Sequence, residues 1–168
     1  LVVVARNQQK LNELSMYLNA KHGVECRVYP CDLTAENAAT DLFNQLLDDK
    51  VHIDILVNNA GMMQVENLHE ADEQTLNRLL QLNINSLVNM TRQFVVPMVT
   101  RGAGRILNVG SIASFMPTPN FSAYGASKAF VLSFSEGISE ELKGTGVSVT
   151  CVCPGMTETK MLSHADGM

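Results

Sequence analysis

The stretch DILVNNAG, residues 54–61, joins an apolar run directly to two asparagines and a glycine. The apolar half fits a strand over Ile53–Asn58, because strands buried on both faces of a sheet are short and continuously apolar. A glycine directly after such a strand lets the backbone approach another group closely. The stretch therefore predicts a buried strand that ends at a binding groove.

Strands of the same kind recur along the chain, and helical patterns fill the intervals between them. Further strands are predicted at Leu1–Ala5, Val24–Tyr29, Arg105–Val109 and Val147–Cys153. Helical patterns cover residues 7–21, 34–49, 72–101 and 122–143, with Thr34 as a plausible N-cap of the second. This alternation predicts an α/β fold of three layers, with a parallel sheet between two layers of helices.

Composition indicates a globular chain and argues against several classes of partner. The chain has 168 residues, 46% of them hydrophobic and 17% charged, which is enough to bury a sizeable core. A net charge of −5, without any basic run, argues against nucleic acid as a partner. The longest apolar runs, such as FVVPMV at 94–99, are too short to span a bilayer.

The four cysteines, Cys26, Cys31, Cys151 and Cys153, are interpreted as buried thiols. Cys151 and Cys153 fall in one predicted strand, where alternate residues point to the same face. Such a pair could be half of a metal site, but no histidine or cysteine cluster completes it, and no metal is expected. Thiols of this kind suit a reducing compartment, so we predict a cytoplasmic protein.

Both ends of the chain suggest a piece of a longer protein. The chain begins LVVVARN, inside a predicted strand and without an initiator Met or a signal peptide. It ends SHADGM, shortly after a loop has begun. We therefore expect residues 1–168 to form one incomplete domain.

The segments that follow the predicted strands are mostly small or polar. In an open parallel sheet, ligands bind beyond the carboxyl ends of the strands. The segments at that edge are ARN (5–7), CDL (31–33), NNAG (58–61), GSIAS (110–114) and PGMTET (154–159). Together they predict a groove for an extended ligand that carries phosphate.

Tyr124 and Lys128 lie four residues apart in SAYGASKAF, residues 122–130. At that spacing both side chains project from one face of a helix. A lysine held beside a tyrosine lowers the pKa of the phenol and makes it a better acid. Taken alone, the pair also fits an ordinary surface helix, so its meaning depends on the rest of the chain.

Five motifs occur together in the order and spacing typical of the short-chain dehydrogenase/reductase family, which the chain resembles over essentially its whole length. They are DILVNNAG (54–61), LNINSL (82–87), ILNVGSIAS (106–114), YGASK (124–128) and PGMTET (154–159). The resemblance implies a doubly wound, Rossmann-like fold. It also implies an NAD(P)-dependent oxidoreductase that transfers a hydride between a nicotinamide and a carbonyl or secondary alcohol of a small molecule.

By matching position, the resemblance assigns a catalytic tetrad of Asn83, Ser111, Tyr124 and Lys128. Tyr124 would exchange a proton with the substrate oxygen, and Ser111 would hydrogen-bond that oxygen. Lys128 would favour the phenolate and bind the nicotinamide ribose, while Asn83 would hold a water that links Lys128 to solvent.

Two members of this tetrad have rivals nearby. Asn85 competes with Asn83, and Ser114 and Ser122 compete with Ser111. The family register favours Asn83 and Ser111.

The resemblance also places residues along the cofactor. Asn59, Ala60 and Gly61 would line its ribose, and Pro154, Thr157 and Thr159 its nicotinamide amide and phosphates. Asp32 and Leu33 would lie at the adenine, although Asp32 fits a helix N-cap equally well. The remaining polar residues of the strand region, Asp54 and Asn58, are interpreted as structural.

Cofactor choice is predicted from the end of the first strand. An acidic residue there would bond the ribose 2′-hydroxyl of NAD, whereas a nearby arginine accommodates the 2′-phosphate of NADP. Here the position is Ala5, followed by Arg6. NADP(H) is therefore the preferred cofactor, with NAD(H) as a possible one.

The sequence departs from the family at its start. Family members carry a strand, a glycine-rich loop and a helix before the segment that matches Leu1, and that unit holds the pyrophosphate. Without this first βα unit we expect a vacant position in the middle of the sheet. The alternative to an enzyme is a non-catalytic nucleotide-binding relative that acts as a sensor or scaffold.

Family members also pair through two helices, which leads us to expect a homodimer or homotetramer. The matching helices here cover 72–101 and 122–143. Their candidate contact residues are Leu76, Leu79, Leu80, Leu87, Phe130 and Phe134.

Overall fold

All five predicted strands and all four predicted helical regions are present in the structure, a computed structural model that describes residues 1–155. The strands are β1 (Val2–Ala5), β2 (Arg27–Pro30), β3 (Ile55–Asn58), β4 (Gly104–Val109) and β5 (Val147–Val152). The helices are α1 (Gln8–His22), α2 (Ala38–Asp48), α3 (Glu73–Leu80), α4 (Leu87–Arg101) and α5 (Ser122–Glu141). A π-helical turn, Gln81–Ser86, joins α3 to α4, and a 3-10 turn, Ile112–Phe115, follows β4.

The strands form two parallel sheets rather than one. β1 pairs with β2, and β3, β4 and β5 pair in that order. No strand within residues 1–155 lies between β1 and β3, and their edges face a cleft of about 1100 Å³. The expected vacancy in the middle of a doubly wound sheet is therefore confirmed.

The core lies between the sheets and the layer that contains α2 and α4. Tyr29 of β2, Leu42 of α2, Leu56 of β3 and Phe94 of α4 belong to one buried cluster. This shared core connects the two sheets through side chains.

The opposite face of β3 differs from the sequence-based expectation. Leu56 and Asn58 are buried, but Ile55 and Val57 are 60% and 52% exposed. Burial on both faces is therefore wrong for β3. The physical reason is that no helix among the described residues covers this face beside the vacant position.

A buried polar network ties β3 and β4 to the helices. The Nδ2 atom of Asn58 donates to the Oγ1 atom of Thr91 and to the Oδ1 atom of Asn108, at 3.0 and 2.9 Å. Asn108 donates in turn to Ser135 in α5. Each side chain of this network has a hydrogen-bond partner within it, as buried polar groups require, which supports the structural interpretation of Asn58.

The start of α2 differs from the prediction. Thr34 is not an N-cap, because α2 begins at Ala38 and its N-cap is Asn37 in the left-handed conformation. Thr34 instead donates its backbone N–H and its hydroxyl to Asp32. The side chain of Asp32 thus stabilises a turn before the helix and does not cap α2.

The helix predicted over 72–101 is helical throughout, but the π-helical turn separates its two α-helical parts. Two residues expected at a subunit contact, Leu79 and Leu87, are 0% and 6% exposed and pack inside this chain. They are therefore unavailable to a partner, and of that set only Phe130, which is 38% exposed, is more than partly accessible. No helix within residues 1–155 combines the length and hydropathy needed to cross a membrane.

Candidate active site

Tyr124 and Lys128 lie next to each other on the first turns of α5. The Nζ atom of Lys128 is 5.8 Å from the centroid of the Tyr124 ring. Lys128 is 7% exposed, and its ammonium group donates to the backbone oxygen of Val109 at 2.8 Å. The helical spacing thus places a buried cation against the phenol, at the carboxyl end of β4.

The electrostatic setting of Lys128 is unusual for a lysine. Burial lowers its pKa below the ordinary value, and the nearby thiols of Cys151 and Cys153 oppose this shift. No carboxylate of residues 1–155 forms an ion pair with it. A buried ammonium without a counter-ion is costly, and its field acts on whatever polar group lies next to it.

Asn83 lies in the π-helical turn, and its side chain bonds to the loop after β3. Its Oδ1 atom accepts the N–H of Met62, and its Nδ2 atom donates to the oxygen of the same residue, both at 2.9 Å. Nδ2 also donates to the hydroxyl of Ser127 at 3.0 Å. Asn85 is exposed and bonds only to Gln81 among the described side chains. The structure thus brings Asn83, and not Asn85, to the site.

The π-helical turn accounts for this arrangement. A π-helix inserts an extra residue into an α-helix, shifts the facing of side chains, and occurs frequently at functional sites. Both N–H bonds of the Asn83 amide go to protein groups. Its water-holding role stays a prediction.

Gly61 connects the loop after β3 to these side chains. A Cβ atom at Gly61 would lie 3.3 Å from the Oδ1 atom of Asn83 and 3.6 Å from the Nζ atom of Lys128. The absence of a side chain keeps the approach between the three residues open. This is the close backbone approach that the glycine after the strand predicts.

Ser111 follows β4 and begins the 3-10 turn. Its Oγ atom accepts the N–H of Ala113 at 3.2 Å, and its own N–H is directed at the Oγ atom of Ser114 at 3.4 Å. Ser114 donates its hydroxyl to the backbone oxygen of Lys128 at 2.8 Å. Ser114 is therefore held by a structural bond, whereas the hydroxyl hydrogen of Ser111 has no acceptor among the described residues. Ser122 is exposed at the start of α5.

The residues predicted to hold the cofactor line the cleft between the sheets. These are Arg6, Asp32, Leu33, Asn59, Ala60 and Gly61. Most of the remaining lining is apolar and comes from the edges of β1 and β3 and from the core. The cleft therefore has two parts, a polar groove at the strand ends and the space of the vacant strand position.

Other predicted residues lie elsewhere. Pro154 is exposed beyond β5, and its oxygen accepts the N–H of Ile112 at 3.0 Å. Thr157 and Thr159 lie outside the described residues. Gly61 both lines the cleft and approaches Lys128.

Asp32 lies at one end of the cleft, where cations surround it. Hydrogen bonds from the hydroxyl and backbone of Thr34 hold its pKa below the ordinary value, and the guanidinium groups of Arg78 and Arg6 act in the same direction. An Nη2 atom of Arg78 lies 3.0 Å from its second oxygen. The carboxylate is thus ionised and fixed in position.

Sequence reasoning missed three residues that shape the site. Arg78 holds Asp32, Met62 binds Asn83 through its backbone, and Ser127 accepts from Asn83. The charge of Arg78 on a helix that faces the strand ends was a usable signal. The other two contacts are long-range and leave no local pattern.

The residues fit part of a nicotinamide dinucleotide. Arg6 and Asp32 suit the adenosine end, and Lys128, Tyr124 and Gly61 suit the nicotinamide riboside end. No glycine-rich turn between a strand and a helix occurs within residues 1–155 to hold the pyrophosphate.

Comparison with known proteins places the chain among oxidoreductases. It is 30% identical over 166 residues to an uncharacterized oxidoreductase of Staphylococcus epidermidis, covering 99% of this chain and 70% of that protein. It is 35% identical over 162 residues to sulfoacetaldehyde reductase 2 of Chromohalobacter salexigens, covering 95% of this chain and 64% of the relative.

A solved structure gives the same result for the fold. A short-chain dehydrogenase from Sphingobium yanoikuyae, in complex with NADPH, matches with a TM-score of 0.91 and 34% identity. The match covers 98% of this chain and 64% of that one. The chain thus spans about two thirds of the length of these similar proteins. The family model for short chain dehydrogenase matches residues 1–167, and the chain belongs to this family.

Proposed function

We propose that the protein is an NADP(H)-dependent oxidoreductase that interconverts a carbonyl group and a secondary alcohol in a small molecule. The observation that carries this proposal is the pair formed by Tyr124 and Lys128. The lysine is buried, has no carboxylate partner in the described chain, and lies against the phenol ring. Membership of the short chain dehydrogenase family and similarity to a named reductase support the same reaction class.

Reduction of a carbonyl group adds a hydride to its carbon atom and a proton to its oxygen atom, and oxidation of the alcohol removes both. The nicotinamide supplies or accepts the hydride when it is bound. An unperturbed phenol has a pKa of about 10 and exchanges protons poorly near neutrality. The ammonium group of Lys128, 5.8 Å from the centroid of the Tyr124 ring, supplies a positive charge beside this phenol.

Ser111 has the position and the free donor for a substrate contact. It lies two residues after Val109, the last residue of β4, and the backbone oxygen of Val109 binds Lys128. A hydrogen bond from its hydroxyl to the substrate oxygen would hold that oxygen for proton transfer from Tyr124. Positioning of this kind supplies a large part of many enzymatic rate enhancements.

The preference for NADP(H) rests on Arg6. This residue is exposed, lines the cleft and lies close enough to Asp32 to lower its pKa. Ala5 supplies no carboxylate at the position that selects NAD. A 2′-phosphate at this end of the cleft would lie near the guanidinium groups of Arg6 and Arg78. The carboxylate beside them, that of Asp32, is already paired with Arg78.

The test is NADPH consumption by the full-length protein with a panel of aliphatic and aromatic ketones. Tyr124→Phe removes the proton donor, so turnover should fall by about 10²- to 10⁴-fold, the usual contribution of acid–base catalysis. NADPH binding, measured by fluorescence titration, should persist.

Tyr17→Phe is the matched control, because Tyr17 is 53% exposed on α1. It should behave as the unmodified protein. Near-normal turnover of Tyr124→Phe would refute the mechanism. NADPH binding without turnover of any ketone or alcohol would favour the non-catalytic alternative.

A further inference from the structure

Two thiols lie side by side next to the candidate active site. The Sγ atoms of Cys151 and Cys153 are 3.8 Å apart, and both side chains are half-buried. They project from the same side of the chain at the end of β5, because their spacing is two residues in an extended segment. The proposed reaction uses neither of them.

Both sulfur atoms lie beside Gly110, the residue before Ser111. A Cβ atom at Gly110 would lie 2.9 Å from the Sγ atom of Cys153 and 3.1 Å from that of Cys151. The thiols therefore occupy the space beside Gly110. A movement of either sulfur atom would displace the backbone of Gly110. They also contribute to the electrostatic environment of Lys128.

The backbone provides a second connection between the thiols and the site. The N–H of Gly110 donates to the oxygen of Val152 at 2.8 Å, and the N–H of Ile112 donates to the oxygen of Pro154 at 3.0 Å. These two acceptors flank Cys153 in the chain. Ser111 lies between the two donors, so its position depends on the backbone on either side of Cys153.

The spacing of the thiols sets the cost of joining them. Residues two apart in a strand have Cα atoms about 6.4–6.8 Å apart, at the upper limit of what a disulfide bridges. A bond would also bring the sulfur atoms from 3.8 Å to about 2.05 Å. Closing a disulfide at this upper limit strains the backbone at Cys153, and the strain makes the bond easy to reduce.

We propose that Cys151 and Cys153 form an oxidative modification site, at which a hydroperoxide converts the dithiol to a disulfide and thereby displaces Ser111. One thiolate attacks the peroxide oxygen, the O–O bond breaks, and a sulfenic acid and an alcohol or water result. The second thiol then loses its proton and attacks the sulfenic sulfur, the S–S bond forms, and the sulfenic oxygen leaves with that proton as water. The dithiol loses two electrons and two protons, and the peroxide gains both.

The expected consequence is a reversible loss of turnover, which rests on the proposed function of Ser111. Misplacing a positioned group by about 1 Å costs roughly 10²-fold in rate. We expect turnover to fall by about tenfold to a hundredfold on oxidation and to return with dithiothreitol.

The test treats the full-length protein with hydrogen peroxide and follows the thiols by mass spectrometry. Trypsin separates them cleanly, because residues 144–160 form one peptide with both Cys151 and Cys153, whereas Cys26 and Cys31 fall in two others. The expected product is that peptide lighter by two hydrogen atoms and resistant to alkylation until it is reduced. A peptide that stays alkylatable while turnover is lost would overturn the proposal.

Variants separate this site from the other thiols. Cys151→Ser and Cys153→Ser should keep their turnover in peroxide, whereas the control Cys26→Ser should lose turnover as the unmodified protein does. If the serine variants fold poorly, Cys151→Ala and Cys153→Ala replace them. Peroxide inactivation of the Cys151 and Cys153 variants equal to that of Cys26→Ser would refute the assignment.

A further measurement does not require any activity. Amide hydrogen exchange at Gly110 and Ile112 should speed up on oxidation, since both amides bond to the backbone next to Cys153. Faster exchange without any detectable turnover in the reduced protein would contradict the proposed function and leave the modification site standing. Unchanged exchange in the disulfide form would refute the displacement.

Discussion

The side-chain amide of Asn83 binds both backbone groups of Met62, with each hydrogen bond 2.9 Å long. The side chain thus bonds to the N–H and C=O groups of Met62 as the backbone of a neighbouring strand would in a sheet. It fixes the loop after β3 against the π-helical turn, and Lys128 and Gly61 meet at the same point. A single asparagine thus joins the loop to the helix that faces it.

We expect Asn83→Ala to destabilise the protein. Asn83 is 2% exposed, and its loss leaves two backbone groups and a hydroxyl without their partner. Each unsatisfied buried group costs about 1–3 kcal/mol, so the free energy of unfolding should fall by about 2–4 kcal/mol. Urea denaturation measures this. Asn85→Ala, in the same turn but exposed, should change it by less than about 0.5 kcal/mol.

Lys128 should make stability depend on pH in the alkaline range. Its folded pKa lies below 10.5, the ordinary value, because burial disfavours the cation. Between these two values the unfolded chain binds more protons, so the free energy of unfolding rises as pH rises through this window. The Lys128→Met variant should lack this rise.

The measurement is the difference in unfolding free energy between the unmodified protein and Lys128→Met, followed from neutral pH to above 10. Lys10→Met, at an exposed lysine of α1, is the control for the loss of a lysine from a helix surface. A difference for Lys128→Met that is independent of pH would contradict the lowered pKa.

Arg6 should determine the preference between the two nicotinamide cofactors. Hydrogen bonds to charged groups contribute about 1.5–3 kcal/mol, so Arg6→Ala should raise the KM for NADPH by about ten- to a hundredfold. The KM for NADH should change little. Lys21→Ala is the matched control, because Lys21 lies at the far end of α1, about 20 Å away along the helix. Equal effects of Arg6→Ala on both cofactors would remove Arg6 from the site.

Gly125 should resist substitution, although it lies within a helix. A Cβ atom there would overlap the Oγ1 atom of Thr118 and lie 3.0 Å from its Cγ2 atom. Overpacking costs about 1–3 kcal/mol, so Gly125→Ala should lower thermal stability and, next to Tyr124, also turnover.

Gly137 provides the control in the same helix, because nothing lies within 4 Å of its added Cβ. Gly137→Ala should stabilise by about 0.5–1 kcal/mol. Adding Thr118→Ala to Gly125→Ala should restore stability in part. No restoration would show that the contact with Thr118 is not the cause.

The sequence predicts those features of this fold that depend on local pattern. The strands and the facing of Tyr124 and Lys128 follow from periodicity, since four residues make about one helical turn. The turn at Asp32 was not predicted correctly, because a helix cap and an isolated turn use the same side-chain hydrogen bonds. The π-helical turn and the contact of Asn83 with Met62 join distant segments, and no local signal carries them.

The vacant position between β1 and β3 also determines how the chain should unfold. No strand-to-strand hydrogen bond within residues 1–155 joins the two sheets, and their connection is a shared set of core side chains. Unfolding is therefore coupled by strand hydrogen bonds within each sheet but only by core side chains between the sheets, and these two couplings differ in strength. Protection of the amides in β1 and β2 should vanish at a lower denaturant concentration than protection in β3, β4 and β5, as for separate foldons. A strand hydrogen-bonded to both edges would merge the two into one transition.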